Sequence, residues 1–132
     1  MLSLKVDRAN GVLFVTLAGA MTAERLAALE GQVVSFIARE GRMSTIVDFS
    51  GVTSVEIDIP SLVDRGRGPS LMSGKPRIYV AIDTLLLGLL RLYSEHQVNA
   101  GEMPPTIVPS LADAFDILGL VQPNFKPLVL KA

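Results

Sequence analysis

Residues 45–61, Thr45-Ile46-Val47-Asp48-Phe49-Ser50-Gly51-Val52-Thr53-Ser54-Val55-Glu56-Ile57-Asp58-Ile59-Pro60-Ser61, decide how the chain is read. Thr45 to Phe49 is a short, apolar, mostly β-branched run, the pattern of a strand buried on both faces. Ser50-Gly51 breaks it, and Val52 to Ile57 is extended in character. Asp-Ile-Pro-Ser then reads as a helix start. Asp58 is its N-cap, and Pro60 sits in the first turn, where a missing N–H costs nothing. The carboxylate also suits the positive end of the helix dipole. A central strand, a loop and a capped helix start thus share one surface, the strand-end surface where open α/β sheets tend to place their sites.

Upstream, Leu2, Leu4 and Val6 alternate with Ser3 and Lys5 as in a strand with one wet face. Asn10-Gly11 is a strong turn dipeptide, and Val12 to Leu17 follows, so an antiparallel hairpin opens the chain and Gly19 closes it. Thr22 caps a helix with Leu26, Leu29, Val33 and Ile37 at helical spacing and Gly41 as its stop. Gly31 inside that helix implies close packing against a neighbour, since it costs about 1 kcal/mol relative to Ala. Strand, helix and strand make a right-handed β-α-β unit with the two strands parallel.

Downstream, Leu62 and Val63 continue a short helix that Arg65-Gly66-Arg67-Gly68-Pro69 breaks, leaving a basic, glycine-rich loop. Such a loop is either solvated or an anion nest, and no Lys-Ser/Thr signature accompanies it. Arg77 to Ile82 is a second buried-type strand, and Asp83 or Thr84 caps a helix that is apolar nearly all round in its first half. That helix is either a core element or, through Leu86, Leu89, Leu90 and Tyr93, a self-association surface. Thr106 to Val108 is an edge-type strand. Ser110 with Asp113 forms a capping-box-like pair, Leu111, Ala114, Phe115 and Leu118 form an apolar stripe, and Gly119 stops the helix. Residues 122–132, with Leu128-Val129-Leu130, form an edge strand or lie across the core. The fold expected is α/β: a single mixed sheet of about five strands, an N-terminal antiparallel hairpin leading into parallel β-α units with helices packed on it.

Composition bounds the function. The 132 residues suffice for one domain, 1–132, and at 49% hydrophobic with mean hydropathy +0.45 the chain is unusually apolar for its size, so a second copy, a partner or an apolar ligand is expected to cover part of it. Twelve basic and 13 acidic residues are mixed along the chain, which argues against nucleic acid or an anionic membrane as partner. The absence of cysteine removes disulfides, thiol catalysis and thiolate metal sites. The N-terminus lacks the pattern of a signal peptide, and Thr84 to Tyr93 is too short to cross a membrane, so a soluble, cytoplasmic protein without membrane insertion is expected.

The order of these pieces resembles the STAS domain, the sulfate-transporter and anti-sigma-factor-antagonist fold. The hairpin leading to Leu17-Ala18-Gly19, Val47-Asp48-Phe49-Ser50-Gly51-Val52, the strand Ile78 to Ile82, and Thr106 through Leu120 carry the resemblance, by order and spacing rather than by one specific motif. It implies a regulatory module with a protein partner: an anti-sigma factor, a kinase-like protein or a transporter component. In antagonists of that family a serine at the helix start is phosphorylated to switch binding off. Here Glu56-Ile57-Asp58-Ile59 stands there, so Asp58 occupies the phosphoacceptor position, either as an ordinary N-cap or as a partial, permanent imitation of phosphate. Ser61 is out of register for that role. The partner surface implied comprises Ser50, Gly51, Thr53, Glu56, Asp58, Ser61, Arg65 and Arg67.

Catalysis finds little support. His96 is the only histidine, and Ser94 two residues before it faces elsewhere on a helix. Asp48, Glu56 and Asp58 are the only clustered carboxylates, without a second His or any Cys, so neither a metal nor another cofactor is expected. Two functional classes remain: a non-catalytic interaction module, with the leucine-rich helix offering a homodimer seam, or a carrier of a small apolar ligand, since the Leu85 to Leu92 helix can wall a pocket in STAS-like and lipid-transfer-like architectures.

Overall fold

In the computed structural model, which describes residues 1–128, four helices are arranged around a six-stranded mixed sheet of order β7-β6-β4-β2-β1-β8. Strands β1 (Leu2–Asp7) and β2 (Val12–Leu17) form the antiparallel hairpin, with Leu4 opposite Val15. Strands β4 (Ser44–Asp48), β6 (Arg77–Val80) and β7 (Thr106–Val108) continue from β2 in parallel. The short β8 (Lys126–Pro127) pairs antiparallel with β1, so the C-terminal segment adds an edge strand; Val129 and Leu130 lie outside the described residues.

The α/β class and the hairpin-then-parallel order hold, with six strands in the sheet where about five were expected. Gly19 does not merely close the hairpin. It begins β3 (Gly19–Thr22), which pairs in parallel with β5 (Val52–Glu56) as a separate two-stranded ribbon. Because β3 follows β2 directly and β5 follows β4 after a short loop, the ribbon extends the central pair beyond the end of the main sheet. At the joint, the Gly19 N–H donates to the Gly51 carbonyl at 2.9 Å. A Cβ on Gly51 would meet Ala18 Cβ at 2.8 Å, so only glycine lets the two crossings approach this closely.

Each helix starts at a cap legible in the sequence. Thr22 accepts from Arg25 N–H ahead of α1 (Ala23–Glu40), Asp58 from Ser61 ahead of α2 (Ile59–Arg67), Asp83 from Leu86 ahead of α3 (Thr84–Asn99), and Ser110 from Asp113 ahead of α4 (Leu111–Leu118). Two expectations fail. Arg65-Gly66-Arg67 does not break α2 but forms its last turns, because Gly66 is the point where α2 crosses α3: a Cβ there would meet His96 Cβ at 2.6 Å and the Tyr93 carbonyl at 3.1 Å. Gly31, in contrast, is exposed with nothing within 4 Å of a built Cβ, so close packing is not its reason, and nothing in the structure explains it.

Strand alternation divides the core in two. Leu13, Val15, Leu17 and Val47 face Val33 and Phe36 of α1 and Leu86 and Leu90 of α3. Val12, Ile46, Ile78 and Val80 face Ala114 of α4, with Phe14, Phe115 and Phe125 beside them. The sheet is thus covered by α1 and α3 on one face, with α2 packed on α3, and by α4 and the segment around Phe125 on the other.

Candidate functional site

The parallel strands direct the β4–β5 loop, the start of α3 and the start of α4 to one end of the sheet. Asp48 closes the loop, its Oδ1 accepting from the Ser50 N–H at 2.9 Å and from Ser50 Oγ at 2.6 Å. From there Ser50, Gly51, Thr53, Glu56 and Asp58 are all exposed along one edge of the chain. Ser54 Oγ reaches Glu56 Oε2 only at 3.4 Å, leaving the Glu56 carboxylate largely solvated. Asp58 Oδ1 accepts the Ser61 N–H at 2.7 Å, and the bonds from Ser61 hold its carboxyl below the usual aspartate range. The start of α2 therefore presents a fixed, ionised carboxylate flanked by the exposed Ile59 side chain.

The remaining residues of the expected surface separate. Ser61 is half-buried. Arg67 is exposed in the last turn of α2, whereas Arg65 turns toward α1 and pairs with Glu30 at 3.2 Å. On α3, Leu86 and Leu90 point into the core at 1% and 5% exposure and so offer nothing to a second copy. The Tyr93 hydroxyl is engaged by Arg77, Leu89 is half-buried, and the large apolar residues α3 does present outward are Leu85, 63% exposed, and Val98, 55% exposed. Asp48, Glu56 and Asp58 do not converge: among the described residues no three His, Cys, Asp or Glu side chains gather as metal ligands would. No helix among the described residues is long and apolar enough to cross a membrane.

A second feature lies between α1, α2, α3 and the sheet, a cavity of about 390 Å³. Its wall is mostly apolar, with Leu26, Leu29 and Val33 from α1, Val47 from β4, Phe49 just beyond it and Leu62 from α2, bordered by the Gly68 to Met72 segment. Its polar end is Arg77, at 7% exposure. One guanidinium nitrogen donates to Tyr93 Oη at 3.1 Å and, more distantly, to Tyr79 Oη at 3.5 Å; the other donates to Gln97 Oε1 at 3.1 Å and to the Met103 carbonyl at 2.6 Å. Gln97 is wholly buried, and its amide donates to the carbonyls of Gly66 at 2.6 Å and Gly68 at 3.0 Å, satisfying the end of α2. Burial first, and then the neighbouring Tyr93, raise the Tyr79 phenol above its ordinary value, so it is a neutral donor.

Neither Arg77 nor Gln97 has a local signature. An arginine opening an apolar strand reads as its wet end, and only the alternation that puts it on the same face as Tyr79 hints that it is enclosed.

No protein-family profile matches the chain. No curated protein matches it in sequence. Among solved structures it is similar to one described as the anti-sigma factor antagonist SpoIIAA in its unphosphorylated form, at 10% identity and TM-score 0.62, covering 92% of this chain and 100% of that one. The hairpin, the parallel β-α units and the closing α4 thus share the fold of that structure, the STAS fold.

Proposed function

We propose that this chain is a non-catalytic regulatory module that docks on a protein partner through the β4–β5 loop and the start of α2, and that its binding is not switched by phosphorylation. The observation that carries this reading is Asp58: at the helix start where the resemblance implies a phosphoacceptor, the side chain is an exposed, ionised carboxylate with no hydroxyl to modify. Ser50, Thr53 and Glu56 extend the surface around it, and Ile59 supplies an apolar anchor at 56% exposure. The fold shared with an anti-sigma factor antagonist supports a regulatory role, and a kinase-like or anti-sigma-factor-like partner follows from it as the class to test first. Homodimerisation through α3 narrows to its outward side, around Leu85.

The experiment is affinity capture followed by quantitative binding with the captured protein, comparing wild type with Thr53→Arg/Asp58→Arg and with a control variant on the opposite face, Asp116→Arg. The double variant should weaken binding by about tenfold or more, as like-charge or steric clashes at a docking surface do, and the control should leave it unchanged. Equal loss in both variants, or binding that appears only after phosphorylation of the chain, would refute the reading.

A further inference from the structure

The cavity behind α1 and α2 has an electrostatic imbalance that the docking surface does not explain. Three charged side chains line it: Glu30, Arg65 and Arg77. Glu30 and Arg65 pair with each other at the more exposed end, with side-chain exposures of 47% and 27%. Arg77 is deeper, and among the described residues no carboxylate lies within 4 Å of it. Its partners are two phenols, an amide and a carbonyl, which solvate the guanidinium without neutralising it, and its Nε–H finds no acceptor among the described residues. A buried cation facing open, otherwise apolar space favours an anion that brings an apolar body with it.

We propose that this cavity binds an amphiphilic carboxylate of the medium-chain fatty-acid class, its head against Arg77 and Tyr93 and its tail along Leu29, Val33 and Val47. The volume falls at the lower end of the range for small-molecule sites, roughly 300–1,000 Å³, which suits one unbranched tail rather than a double-chained lipid. The head chemistry is specific. Tyr93 accepts from Arg77 through its oxygen, which leaves its hydroxyl proton to donate, while the Tyr79 hydroxyl is engaged with Tyr93; the Arg77 Nε–H is a second donor at the same end. Two donors beside one uncompensated positive charge match a monoanion. A phosphate ester carries more charge than this end supplies, and the glycines that an anion nest requires are committed to the end of α2. The site is distinct from the exposed rim around Asp58, so it stands whether or not that rim docks a partner.

The test uses the full chain, stripped of bound lipid by reversed-phase chromatography and refolded, titrated in turn with laurate and with dodecanol, which shares the tail but lacks the charge. Laurate should bind about tenfold or more tightly than dodecanol, the size of effect a charge-assisted hydrogen bond supports. Tyr93→Phe should lower laurate affinity several-fold while leaving dodecanol unchanged, and Leu29→Trp should abolish both by filling the tail channel. Arg77→Met should erase the preference. If that variant does not fold, the wild-type comparison and Tyr93→Phe decide the matter. Laurate binding no tighter than dodecanol, laurate binding indifferent to Leu29→Trp, or no binding of either at millimolar concentration overturns the proposal.

Discussion

The two faces of the central sheet are built from neighbouring residues of the same strands and end up unlike each other. On the α4 face the packing is filled: Phe125 lies 5.1 Å from Phe14 and 6.1 Å from Phe115 between ring centroids, and Ala114 is wholly buried against the strands. On the face under α1, α2 and α3 the strands look onto a cavity, with Tyr79 set edge-on to Phe49 and an arginine enclosed among hydroxyl, amide and carbonyl groups. Close packing is the default of protein interiors, so the hollow face is the exception that asks for a use. The contrast teaches that two faces built from alternating residues of the same strands can differ in how completely they are packed.

Three tests put that contrast at risk. The largest effect is expected from Phe36→Ala. Phe36 is fully buried and roofs the hollow face, so its removal should cost roughly 3–5 kcal/mol in urea unfolding, whereas Phe125→Ala on the filled face should cost about 1–2 kcal/mol because that ring is only half-buried. A reversed order would mean that the filled face, not α1, anchors the fold.

A matched pair comes next. Ala114→Leu adds volume to a site with no space and should destabilise by about 1–3 kcal/mol, while Val33→Leu extends into the cavity and should stay within about 1 kcal/mol of wild type. Equal costs would show that the cavity is closed in solution.

The smallest effect concerns acid. Asp7, at the end of β1, accepts from the Asn10 side chain at 2.7 Å and from the Asn124 N–H at 3.0 Å, and so ties the segment bearing Phe125 to the filled face. The Asn10 side-chain bond first, then the Asn124 N–H, hold its carboxyl below the ordinary aspartate value. A lowered carboxyl stabilises the folded state above the unfolded aspartate pKa, about 4, and that contribution disappears as pH falls through the lower folded value. Midpoints of thermal unfolding measured from pH 7 down to pH 2 should fall more steeply in wild type than in Asp7→Asn, the variant being less stable at pH 7 and converging with wild type in acid. Parallel curves would remove Asp7 from the clamp.

Sequence pattern anticipated what short-range chemistry dictates. Thr22, Asp58 and Ser110 cap their helices because a side-chain oxygen three residues ahead of an N–H is a local arrangement, and the β1–β2 hairpin follows from Asn10-Gly11 and alternation alone. The misreadings arise where the reason for a residue lies far along the chain. Gly66 looks like a helix breaker until His96, 30 positions on, is seen against it, and β3 is too short to announce itself before Gly51 meets Ala18, although Val52 to Ile57 reads as extended. The candidate rim from Ser50 to Asp58 was legible as a strand-end surface, whereas the Arg77 and Gln97 network was not, since an enclosed cation and a solvated one have the same letter. Leu86 and Leu90 were indistinguishable from outward leucines in a helix start that is leucine-rich on every side.

The β3–β5 ribbon has a consequence for the timescale on which the proposed docking rim moves. Its strands span four and five residues, Thr53, Ser54 and Glu56 stand in solvent, and it lies outside the six-stranded ladder. A short two-stranded ribbon outside the main ladder opens locally at less than the free energy of global unfolding, even with Met21 in the core, so its amide protons are expected to exchange before those of β2 and β4. A protein that docked on Thr53 and Asp58 would therefore meet a rim that breathes above a rigid sheet, and holding it closed would slow that exchange.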